Sequence, residues 1–106
     1  MLEVRNMNGN GRVEYVNGDR VYLDKTFYFV YGHNSPRHKW HRQSGSESKE
    51  RELQYKFSLE RDAHTYGLPE FEAVVVCTRN FDYPDELNAA HFGKVGINTN
   101  EIQYVG

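Results

Sequence analysis

Apolar and polar residues alternate with a period of two along much of this chain, the spacing of strands that bury one face. The clearest case is "GRVEYVNGDRVYLD", residues 11–24. Asn17-Gly18 lies between two alternating segments, and that pair tolerates the positive φ angles of a tight hairpin turn. The pattern predicts strands near 12–16 and 19–24, with Val13 and Tyr15 on one face of the first and Val21 and Leu23 on one face of the second. "TFYFVY" follows, rich in aromatic and β-branched residues, and predicts a third strand near 26–31 that Gly32 ends.

Two signals compete in "SESKERELQYKFSLERD", residues 46–62. Its composition favours a helix, and Ser44 with Glu47 fits a capping box. Leu53, Tyr55, Phe57 and Leu59, however, alternate strictly with Gln54, Lys56, Ser58 and Glu60. Period two over that length predicts a half-buried strand at 53–60, with a short helical turn at 46–52 as an option ahead of it. Residues 61–70 read as a turn-rich loop. "FEAVVVCTR" (71–79) is almost continuously β-branched and predicts a central strand covered on both faces. In "FDYPDELNAAHFG" the spacing predicts a short helix near 84–92. Pro84 suits its first turn, Asp85 and Glu86 its N-terminal dipole, and Gly93 its stop. His91 near its end reads as a packed histidine. The closing "NEIQYVG" predicts a strand with Ile102 and Tyr104 inward. The sum is an α+β fold of mainly antiparallel sheet, about six strands with one short helix, or alternatively a small barrel.

With 106 residues the chain has the size of a single domain, 1–106, able to bury one core. Eight tyrosines suit half-buried strands or a contact surface, and are consistent with self-association into a homo-oligomer. The formal net charge of −2 provides no global field for long nucleic acid or acidic lipid. Locally the chain is bipolar. Residues 33–42 hold Arg37, Lys39 and Arg42 and no acid, whereas 80–106 hold Asp82, Asp85, Glu86 and Glu101 against Lys94. The single cysteine, Cys77, cannot form an internal disulfide and sits in an apolar run, as an inert core thiol would. With no apolar stretch of signal-peptide or membrane-span length, the expected location is cytoplasmic, with no membrane partner.

Between the third and fourth predicted strands lies a long polar loop, 32–52. Structureless loops beyond roughly 12–15 residues are uncommon in compact domains and tend to be functional or disordered. Its second half, "QSGSESKERE", reads as a solvated spacer. Its first half, "HNSPRHKWHR", is basic and aromatic. Arg37, Lys39 and Arg42 suit phosphate, arginine offering a planar fork. Trp40 offers a face for base stacking, worth ~1–3 kcal/mol per base. His33, His38 and His41 add donors. The competing structural role for Trp40 is to anchor the loop on the core.

The leading functional expectation is therefore a binding module for a phosphate-bearing ligand, a nucleotide or short single-stranded RNA. Its ligand-binding residues would be His33, Arg37, Lys39, Trp40 and Arg42. An alternative is an RNase-like phosphodiesterase in which two of His38, His41 and His64 exchange protons with the 2′-hydroxyl and the leaving oxygen. A third reading is a small protein-binding inhibitor or adaptor of the kind encoded by bacteria and their viruses, with Trp40 and the arginines as interface anchors. The residues favour binding over catalysis. His38-x-x-His41 has a metal-compatible spacing, with His33, His64 or Cys77 as further donors. Strong zinc signatures carry two such pairs and this chain has one, so no metal and no cofactor is assigned.

Overall fold

In the computed structural model, which describes residues 12–34, 39–87 and 102–106, Asn17 and Gly18 both have positive φ, 53° and 89°. That backbone belongs to a type I′ turn, whose twist matches the flanking strands. It joins β1 (Val13–Val16) to β2 (Asp19–Tyr22) in a two-stranded antiparallel sheet. Arg20 docks this hairpin on the rest of the chain. Its Nε and Nη2 donate to the two oxygens of Asp82 at 2.9 and 2.8 Å, and its backbone N–H donates to the same carboxylate at 2.8 Å. These donors hold the Asp82 carboxyl down at about 2. Tyr22 completes the joint, lying edge-on to Phe27 at 5.0 Å.

The main sheet has five strands in the order β6-β4-β3-β5-β7, with every pairing antiparallel. They are β3 (Phe27–His33), β4 (Trp40–Ser46), β5 (Glu72–Thr78), β6 (Glu86–Leu87) and β7 (Gln103–Tyr104). Among the described residues β6 and β7 each pair with one neighbour and end the strand order, and the sheet curls as a half-barrel. The pleat of β3 sends Phe27, Phe29 and Tyr31 to one face, where they meet Trp40, Val74, Val76, Tyr83, Leu87 and Ile102. The other face takes Val30, Ala73 and Val75. Cys77 is partly buried, and that burial raises its thiol pKa, as for an inert core thiol.

Against this second face lies α1 (Lys49–Thr65), where the alternation of Leu53 to Leu59 predicts a strand. The least exposed stripe of α1 runs through Glu52, Leu53, Lys56, Leu59, Glu60 and Ala63, with Glu52 alone fully buried, and this is helical spacing. Half of those positions carry charged residues, so the apolar pattern hides the period. Leu53 and Leu59 pack on the sheet while Tyr55 and Phe57 are exposed. Ser48, rather than Ser44, caps the helix: its hydroxyl accepts the Arg51 N–H at 3.2 Å. Glu52 is fully buried and accepts from the Ser46 hydroxyl at 2.6 Å.

The expected loop 32–52 is thus mostly regular structure: the end of β3, all of β4 and the first turn of α1. The expected helix near 84–92 is also corrected in its described part. Glu86–Leu87 extends as β6 because β4 offers it an edge, and Leu87, opposite Trp40, is buried. Residues 88–92 of that expectation, including His91, lie outside the described residues. The α+β antiparallel fold itself stands, with its described helix at 49–65. No described helix is long and apolar enough to cross a membrane.

Candidate functional site

β4 pairs with β3 through a ladder that changes register once. Val30 faces Ser44, then Tyr31 faces Arg42 and Gly32 faces His41, so that Gln43 is the extra residue of a β-bulge. Beyond the bulge the pleat divides the basic segment between the two faces of the sheet. Trp40 and Arg42 go to the aromatic core face. Lys39 and His41 go to the face that α1 partly covers.

On the core face, Trp40 is only 2% exposed and its ring stacks on His33 at 3.8 Å. His33 is itself buried, and its Nε2 lies 3.1 Å from Glu72 Oε1 on the neighbouring strand. Arg42 lays its guanidinium over the Phe29 ring at 4.4 Å, donates to the Tyr83 carbonyl at 3.4 Å and pairs with Asp85. Tyr31 donates its hydroxyl to the Pro84 carbonyl at 2.6 Å, and burial pushes that hydroxyl's pKa well above the usual tyrosine range. Asp85 and Glu86 therefore hold β4 side chains and do not begin a helix.

On the other face, Lys39, His41 and Gln43 line a cleft of about 470 Å³. This lies within the ~300–1,000 Å³ typical of small-molecule sites. Gly32, His33, Asn34, Phe71 and Glu86 complete its lining. Glu86 stands 3.5 Å from Lys39 Nζ and 3.8 Å from His41 Nδ1. All three side chains are about half exposed, so these ion pairs are weak and exchangeable. A β-carbon at Gly32 would lie 2.8 Å from Phe71 Cζ, so the glycine makes room for the ring.

Phe71 is positioned by the turn that follows α1. Gly67 has a φ of 92°, the Leu68 N–H donates to the Ala63 carbonyl at 2.8 Å, and the Phe71 N–H donates to the Leu68 carbonyl at 3.1 Å. His64 Nε2 lies 3.1 Å from the Phe71 carbonyl oxygen. No family model, curated protein or solved structure matches this chain.

Of the residues singled out in the sequence, Lys39 and His41 meet in the cleft. Trp40 does not offer a stacking face, because both its faces are in the core: anchoring is its observed role. Arg42 is on the opposite side of the sheet, and His33 is packed behind its end. His64 supports Phe71 from outside the cleft. Arg37 and His38 lie outside the described residues. Among the described residues no three His, Cys, Asp or Glu side chains are grouped to hold a metal ion. Sequence reasoning missed Gln43, Phe71 and Glu86. The signal for Gln43 and Glu86 is the pairing of 40–46 with its neighbours, which Ser, Gly and Gln disguise as loop.

Proposed function

We propose that the Lys39–His41 cleft binds a phosphate-bearing ligand, a nucleotide or a short single-stranded RNA, in a cytoplasmic setting. The observation that carries this reading is the projection of Lys39, His41 and Gln43 from consecutive positions of one face into a cleft walled by an aromatic ring. Lysine is a point charge for phosphate, and imidazole is a hydrogen-bond donor. Phe71 takes the stacking role that Trp40 cannot take. The lone, half-buried Cys77 suits a reducing compartment.

Binding is favoured over acid–base cleavage because, among the described histidines, His33 is buried against Trp40 and Glu72 and His64 lies against the Phe71 carbonyl, which leaves His41 beside Lys39 in the cleft. The adaptor reading loses two of its anchors, since Trp40 is in the core and Arg42 is committed to Phe29 and Asp85. The test is calorimetric titration with the four ribonucleoside monophosphates and inorganic phosphate, for the native protein and for Lys39→Ala and His41→Ala. Binding weakened at least tenfold by Lys39→Ala is the expected result. Absence of binding across the panel, or binding indifferent to both substitutions, overturns the proposal.

A further inference from the structure

The cleft carries an acid where a plain phosphate site would carry none. Glu86 bridges Lys39 and His41 from 3.5 and 3.8 Å. A carboxylate is an acceptor and nothing else. When a phosphate takes the two basic side chains, Glu86 loses both partners and stands beside a second anion. That arrangement is unfavourable unless the same ligand brings hydrogen-bond donors to the carboxylate.

Charge limits the ligand further. Among the described residues of the cleft Lys39 is the fixed cation, and Glu86 stands 3.5 Å from it, a balance that one phosphate group matches. A single phosphate group facing Lys39 Nζ and the His41 imidazole fits. Vicinal hydroxyls close to that phosphate would donate to both oxygens of Glu86. The Phe71 ring, the Asn34 amide and the Gln43 amide oxygen remain for a base, the Gln43 Nε2 donating to the His41 carbonyl at 3.1 Å.

Resting on the phosphate reading above, we infer that the ligand is a ribonucleoside monophosphate and that Glu86 reads its ribose diol. Lys39 selects the phosphate, Glu86 distinguishes ribose from deoxyribose, and Phe71 takes the base.

Paired titrations of ribo- and 2′-deoxyribonucleoside 5′-monophosphates, with the triphosphates and inorganic phosphate alongside, test this on the native chain, Glu86→Gln and Lys39→Ala. The expected ribo preference is about tenfold or more, the value of one hydrogen bond to a charged group. Glu86→Gln should bring that ratio towards one while strengthening inorganic phosphate. Glu86→Ala, with thermal melting as a check on folding, should do the same. Equal ribo and deoxy affinity in the native chain, a preference that survives both Glu86 substitutions, or tighter binding of triphosphates overturns the inference and leaves the phosphate reading standing. Failure of every phosphate compound, or indifference to Lys39→Ala, overturns both.

Discussion

Gly32→Ala tests how the cleft is built. Gly32 is a paired strand residue, opposite His41 on one side and Ala73 on the other, and its backbone is not left-handed. Alanine there would by itself stabilise the strand by roughly 0.5–1 kcal/mol. The new methyl, however, would stand 2.8 Å from Phe71 Cζ and 3.2 Å from Cε1. Carbon contacts are optimal near ~3.5–4.0 Å, so the ring must retreat by about 0.7–1.2 Å. Overpacking of this kind costs about 1–3 kcal/mol, which leaves a net loss of about 0–2.5 kcal/mol. Phe71→Ala removes the obstacle, and in that background Gly32→Ala should be neutral or slightly stabilising. Urea unfolding of the four proteins, followed by circular dichroism and by Trp40 emission, gives the coupling directly. It should exceed 1 kcal/mol, well beyond the ~0.3–0.5 within which independent sites add. Additive effects, or a stabilising Gly32→Ala with Phe71 present, would refute the claim that glycine is there to admit the ring.

Two further outcomes follow from buried and paired carboxylates. Glu52→Gln keeps an acceptor for the Ser46 hydroxyl but buries an amide NH2 where Glu52 Oε1 meets no hydrogen-bond partner among the described residues, so it should cost about 1–3 kcal/mol. Glu52→Ala leaves the hydroxyl and a hole, and should cost about 2–4 kcal/mol in the same unfolding assay. Asp82 is held at about 2, below its ordinary 3.8, by the Arg20 donors. Its stabilising contribution is therefore complete above its unfolded value and is lost as pH falls through about 2. Asp82→Asn should be less stable near neutrality, with the difference from the native protein shrinking between pH 4 and 2. A difference constant across that window would show that the Arg20 contact does not depend on the carboxylate's charge.

What the sequence made legible was structure written in apolar residues. Asn17-Gly18, the aromatic run of β3 and the valines of β5 announce themselves because turn chemistry, β propensity and burial agree there. α1 was illegible because Glu52, Lys56 and Glu60 occupy its buried stripe, leaving an accidental period of two among Leu53, Tyr55, Phe57 and Leu59. β4 was illegible because "WHRQSGS" has almost no intrinsic strand preference, and pairing on both edges, with β3 and β6, makes it a strand. The basic segment, treated as a loop, has no faces. Which of its residues share a surface depends on a pleat that the segment acquires only in the sheet.

The bulge decides that partition. With Val30 opposite Ser44, an unbroken ladder would set Gln43 opposite Tyr31 and Arg42 opposite Gly32, placing Arg42 in the cleft and His41 in the core. Leaving Gln43 unpaired shifts the count by one, so that Trp40 and Arg42 enter the aromatic face. Deleting Gln43 should consequently be tolerated: the ladder closes with Tyr31 still opposite Arg42 and Gly32 still opposite His41. Deleting His41 should not be, because Arg42 is fixed by Phe29 and Asp85 and Trp40 would then fall opposite Gly32. Losing the burial of that indole costs about 3–5 kcal/mol. Emission from Trp40, the sole tryptophan, separates the cases. It should stay at the native wavelength without Gln43 and shift to the red, with a large loss of stability, without His41. A red shift on removing Gln43, or a native spectrum on removing His41, would mean that something other than strand register holds Trp40 in the core and Lys39 and His41 in the cleft.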